Sequence, residues 1–271
     1  MKRSNLRPIW SMFTVFLSLF ILNFAVSIPL GVTQRMWLLL ELWSLLLSGA
    51  LLTRYGMPDR KKRVLSASLA LLACLGHALV YKAPLSAIWS FLLTLTAALA
   101  VFSTFSHFAG QKIPLLRVGK GSECALSVGV GVAVGALLGA VNLFLGGGRS
   151  AQGFHPVVPA LLVALNPAIM EEVALRTVFF AFCLHLMQGQ CATKSQRFTG
   201  LFMMVMPHVL IHTPEAFMQG GMIGGLVSTL IYVVLFGLPF ALLQRRRDLA
   251  SAMIAHGTVD LIRFCLLGLP L

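Results

Sequence analysis

Six ionisable residues lie where apolar sequence should exclude them. The chain holds Glu171-Glu172-x-x-x-Arg176, then His208, then His256-x-x-x-Asp260, each within a long apolar stretch. A charge near the middle of a bilayer costs roughly 2.5–3.5 kcal/mol even on a lenient scale, so such groups persist where they pair, line a wet cavity or work chemically. Glu172 and Arg176, four apart, share one face of an α-helix and can neutralise each other. Glu171 is rotated about 100° from its neighbour and is left for another partner or for water. His256 and Asp260 again share a face. A free carboxylate in such a low-dielectric site can act as a general base.

Each group also has a plainer reading. Glu172 with Arg176 can be a structural ion pair, since buried charges must pair in any case. Asp260 can pair with Arg263, three residues on. His208 can be a satisfied polar group between helices. His212 falls one turn beyond His208 and reads as interfacial; the two have the spacing of a zinc-binding helix but lack the glutamate of HExxH between them. Joint occurrence at matching depth favours one site over three accidents.

The elements that must position these residues are membrane helices. Of 271 residues, 58% are hydrophobic and only 11% charged, and the mean hydropathy is +0.89. A soluble domain carries about 25% charged residues, so a soluble globule, a disordered chain and a disulfide scaffold are excluded. Nine apolar segments are long enough to be spans: 9–31, 36–53, 64–81, 84–106, 123–146, 157–186, 198–213, 220–243 and 249–269. The sixth is long and the seventh short, which predicts tilt or a break there. The first is too long for the 7–15-residue core of a signal peptide and reads as a retained helix. The expected fold class is therefore all-α, a polytopic integral membrane protein of eight to nine transmembrane helices.

The net charge of +13 follows from topology and not from a nucleic-acid partner. Sixteen basic residues fall on one side of the nine spans: Lys2, Arg3 and Arg7; Arg54 and Arg60 to Arg63; Lys112, Arg117 and Lys120; Lys194 and Arg197; Arg245 to Arg247. Three fall on the other: Arg35, Lys82 and Arg149. That asymmetry predicts a cytoplasmic N-terminus and a C-terminus on the opposite side, with Glu171, His208 and Asp260 near mid-membrane. Cys74, Cys124, Cys183, Cys191 and Cys265 are scattered without a CxxC pair and read as small buried hydrophobes. Glu41 and His77 read as interfacial. Gly131, Gly135 and Gly139 are a helix-packing signal. Segments 107–122 and 146–156 read as loops, the latter with Gly146, Gly147, Gly148 and Pro156.

Glu-Glu-x-x-x-Arg, a histidine on the next helix and His-x-x-x-Asn/Asp on a later one resemble the CAAX protease and bacteriocin-processing family of intramembrane endopeptidases, also called ABI proteins. The resemblance covers about residues 120–267, leaving 1–106 as N-terminal transmembrane helices of unassigned role. It implies that Glu171 acts with His208 to hold and deprotonate a water, that Glu172 and Arg176 support the site, and that His256 and Asp260 bind water or stabilise the oxyanion. The family's Phe-x-x-x-His motif has Met204 in place of Phe, and Asp260 stands where many relatives have Asn. An ionised Asp cannot donate to an oxyanion, so its role there is to orient His256 or to act protonated.

The implied partners are membrane lipid and a protein or peptide substrate, lipidated or membrane-anchored. A divalent metal such as zinc at Glu171, His208 and His256 is compatible with the residue types; a metal-free glutamate mechanism is the expectation. Two other functions compete with proteolysis: a proton-coupled transporter, against which the polar-poor first half argues, and a non-catalytic membrane partner in peptide immunity or maturation.

Overall fold

The computed structural model describes residues 6–117, 122–145 and 154–270, and among them every regular element is helical. Lys2, Arg3, Lys120, Arg149 and the glycines 146–148 lie outside the described residues. In lipid a helix satisfies its own backbone hydrogen bonds, which is why apolar runs of this length take no other form. The elements are α1 (Arg7–Leu22), α2 (Val32–Tyr55), α3 (Arg60–Leu75), α4 (Pro84–His107), α5 (Ser122–Leu145), α6 (Val157–Asn166), α7 (Val178–Leu186), α8 (Lys194–Leu210), α9 (Pro214–Tyr232), α10 (Leu238–Arg246) and α11 (Leu249–Leu267). Three π-helical stretches interrupt them: π1 (Gly76–Val80), π2 (Pro167–Thr177) and π3 (Val233–Gly237).

Among the described residues, eight helices are long and apolar enough to cross a membrane, and the protein is an integral membrane protein. The expected seventh span, 198–213, is the exception. Its helix α8 has 17 residues and begins with Lys194 and two residues later Gln196 and Arg197. The expected sixth span is one 30-residue helical run, Val157–Leu186, and the eighth runs from Pro214 to Arg246.

The chain forms two compact units. The first comprises Met1–Lys62, Thr96–Lys112 and Val173–Pro239. Its α1 offers Phe13, Phe16 and Phe20 from one face, at helical spacing, to Phe202, Trp43 and Phe217. Helix α9 breaks at Gly221, whose φ of 60° is open to glycine without strain. The second unit comprises Arg63–Leu95, Ile113–Glu172 and Phe240–Leu271. Here the glycine stripe of α5 does what its spacing predicts. A Cβ on Gly131 or Gly135 would come within 2.8 and 2.5 Å of the Ser251 and Ala255 carbonyls, and one on Gly139 within 2.8 Å of the Ile262 side chain, so α5 packs closely on α11. Asp248 caps α11 by accepting from the Ser251 amide at 2.8 Å.

Pro167 explains π2. Proline has no N–H and its ring crowds the carbonyl four residues earlier, so α6 cannot simply continue. The chain widens to i→i+5 bonding through Thr177 before α7 resumes. Wide turns of this kind recur at functional sites, and this one carries both glutamates and Arg176.

Candidate active site

In the second unit, π2, α10 and α11 bring four of the expected residues together. Glu172 is fully buried, Glu171, His256 and Asp260 nearly so. His256 Nδ1 lies 2.8 Å from Glu172 Oε1. The other carboxylate oxygen of Glu172 accepts a 2.6 Å hydrogen bond from Gln244 Nε2, which also reaches the Glu172 carbonyl at 3.2 Å. One helical turn before Gln244, Phe240 stacks on the His256 ring, centroids 4.8 Å apart and planes 15° apart. The imidazole is thus fixed at one nitrogen and across one face. Its other nitrogen, Nε2, lies 3.7 Å from Glu171 Oε2 and 3.6 Å from Asp260 Oδ2. Those separations are too long for good direct hydrogen bonds and suit a water oxygen shared between the groups.

Asp260 therefore faces His256, as one of the two roles expected for it requires. Arg263, the alternative partner, lies over the Phe264 ring at 5.9 Å.

In the first unit, Arg176 is fully buried. Its guanidinium donates to the carbonyls of Met204, at 3.3 Å, and Gly237, at 3.1 Å, and faces His208 Nδ1 at 3.0 Å. Gly237 is glycine for a packing reason: a Cβ there would meet Val205 and Val209 of α8 at 2.7 and 2.9 Å. A guanidinium has only donors, so His208 Nδ1 must accept, and the proton of the neutral ring sits on Nε2. His208 is then a hydrogen-bond donor at Nε2, aimed by Arg176. His212 belongs to an aromatic cluster: it meets His208 edge-on at 5.0 Å, Trp37 at 5.0 Å and stacks on Tyr232 at 5.9 Å. Met204 in place of Phe matters little to Arg176, because the group used is its main-chain carbonyl.

Sequence reasoning missed Gln244 and Phe240. Gln244 adjoins Arg245, Arg246 and Arg247 and reads as the start of a polar loop, yet it is fully buried. The signal available was its i,i+4 spacing from Phe240, which puts both on one face of α10.

Residues 153–262 match the family model of the Rce1-like type II CAAX prenyl endopeptidases. The matched stretch contains π2, α8, α10 and the His256–Asp260 turn of α11. No curated protein and no solved structure matches the chain. The matched family is a protease family, and the match supports a peptidase.

Proposed function

We propose that this protein is an intramembrane endopeptidase that hydrolyses a peptide bond of a membrane-associated substrate, using a water activated by Glu171. The observation that carries the reading is the placement of His256 Nε2 beside both Glu171 and Asp260 while Glu172 holds Nδ1. In this reading Glu171 takes a proton from water as its oxygen attacks the substrate carbonyl. As the tetrahedral intermediate collapses and the C–N bond breaks, the proton held by Glu171 passes to the departing amine, directly or through His256. Asp260 and Glu172 keep the His256 ring in place, and Arg176 does the same for His208.

A metal-free route is supported by the hydrogen bonds of His208. Nδ1 is committed to Arg176, so Nε2 carries a proton and His208 has no lone pair left for a metal ion. The membrane orientation we propose, N-terminus cytoplasmic, rests on the basic-loop asymmetry. Prenylated C-terminal peptides are the first substrates to try, since the matched family is named for them.

The test uses the full chain in liposomes with prenylated and unmodified peptides, products read by mass spectrometry. It is paired with membrane proteomics of cells carrying the native chain or Glu171→Gln. Cleavage products and their loss in a folded Glu171→Gln protein are expected; undiminished proteolysis by that variant defeats the assignment.

A further inference from the structure

A pocket lies wholly within the first unit, where three helices end. Arg54 and Tyr55 close α2, His107 closes α4, and His185 and Leu186 close α7; Phe108 and Gln188 complete the lining of a cavity of about 660 Å³. That volume is within the range of small-molecule sites, roughly 300–1,000 Å³, and well beyond the size of one inorganic anion. Nothing in the proteolytic reading uses it.

Its chemistry is one-sided. The lining holds no carboxylate. The Arg54 guanidinium makes no hydrogen bond or ion pair with another described residue, and neither does the Gln188 side-chain amide. The Tyr55 hydroxyl and His185 Nδ1 lie 2.7 Å apart. A neutral imidazole and a phenol have two protons between them, and one is used in this bond. In either tautomer the other is left to donate among the described residues. The His107 ring packs on Tyr55 at 4.8 Å and on Phe108 at 4.7 Å, which holds it in the wall. Gly189, with φ of 75°, lies so close to Phe108 that a Cβ would meet its ring at 2.5 Å; the Gln188 turn is thereby held against the pocket.

The apolar part of the lining, Phe108, Leu186 and the two aromatic faces, suits hydrocarbon. The basic loop Arg60 to Arg63 follows four residues after Gly56, on the side that the orientation proposed above makes cytoplasmic. Basic pockets among transmembrane helices on that side bind anionic headgroups. We propose that this pocket is a binding site for the phosphate of an anionic phospholipid headgroup. Arg54 is its charged contact, and Gln188, His107 and the Tyr55–His185 pair are its neutral donors.

The experiment is thermal unfolding of the full chain purified in zwitterionic detergent. Phosphatidylglycerol, phosphatidylcholine or inorganic phosphate is added in turn. A ligand of the folded state raises the unfolding temperature with its concentration. Phosphatidylglycerol is expected to raise it by several degrees and phosphatidylcholine not to. Arg54→Gln, and separately Gln188→Glu at the exposed rim, are expected to lose the rise. Should Arg54→Gln unfold without ligand, Gln188→Glu carries the test alone. An equal rise with inorganic phosphate supports the anion site and assigns it to free phosphate. The site is overturned if both lipids act alike, if no anion acts, or if a folded variant keeps the full rise; the basic groups then serve only to offset the carbonyl ends of the three helices.

Discussion

Glu172 and His256, 84 residues apart in sequence, meet at 2.8 Å through Oε1 and Nδ1. Because Gln244 holds the other oxygen of the same carboxylate at 2.6 Å, the position of the His256 ring depends on Gln244 through Glu172.

Gln244 is therefore a positioning residue. Gln244→Met keeps the volume and removes the donor. A hydrogen bond to a charged group is worth about 1.5–3 kcal/mol, so activity should fall by about 10–100-fold. The expected result is a fall in kcat with KM little changed. A ¹⁵N spectrum of labelled histidine should show a changed His256 Nδ1 signal. An unchanged kcat and an unchanged histidine signal would remove Gln244 from the site.

Arg176 aims His208. Arg176→Lys keeps the charge, but an ammonium cannot reproduce the planar fork that serves the Met204 and Gly237 carbonyls and His208 Nδ1 together. Each buried acceptor left unmet costs about 1–3 kcal/mol. Denaturation in detergent should show a loss of that order, with activity falling further than stability alone accounts for. A variant as stable and as active as the native chain would contradict the tautomer assigned to His208.

The contact of α5 with α11 gives a paired comparison. Gly135→Leu forces a side chain where even a Cβ lies 2.5 Å from the Ala255 carbonyl, and overpacking of this kind costs about 1–3 kcal/mol or more. Gly129→Ala, with nothing within 4 Å, should be neutral or stabilising by up to about 1 kcal/mol, because alanine is the better helix former. Unfolding temperatures of the two variants check the contrast, and equal effects would mean that the helices do not meet along this stripe.

Asp248 gives the pH dependence. Burial pushes its carboxyl up, but hydrogen bonds from the Ser127 hydroxyl at 2.5 Å, the Ser251 amide at 2.8 Å and the Arg117 amide at 3.1 Å outweigh it and hold it below the usual carboxylate range. A lowered folded-state value means that the stabilisation is fully present above the unfolded value, about pH 3.9, and is lost as pH falls from there through the folded one. Asp248→Ala should cost about 0.5–2 kcal/mol at neutral pH, the range for a lost N-cap. Its deficit against the native chain should shrink in acid. A deficit that stays constant down to pH 3 would show that the carboxylate charge contributes nothing.

The sequence alone determined the solvent of this protein and its candidate chemical groups. Long apolar runs admit only helices in lipid, and charged residues inside such runs stand out because lipid makes them costly. Gly131, Gly135 and Gly139 were legible as a packing stripe for a similar reason: absence of a side chain is visible in the letters. What tertiary structure decided is which group each charge engages. The turn at Glu171–Arg176 is π-helical and not α-helical, and an i,i+4 argument from an ideal helix could not anticipate that Glu172 would be held by Gln244 and His256. The role of Gln244 was hidden because its neighbours Arg245 to Arg247 look like loop. The tautomer of His208 was hidden because it is fixed by Arg176, 32 residues earlier. Hydrophobicity is a local property and can be read along the chain. The direction of a hydrogen bond depends on where distant backbones come to rest, and no local pattern records that.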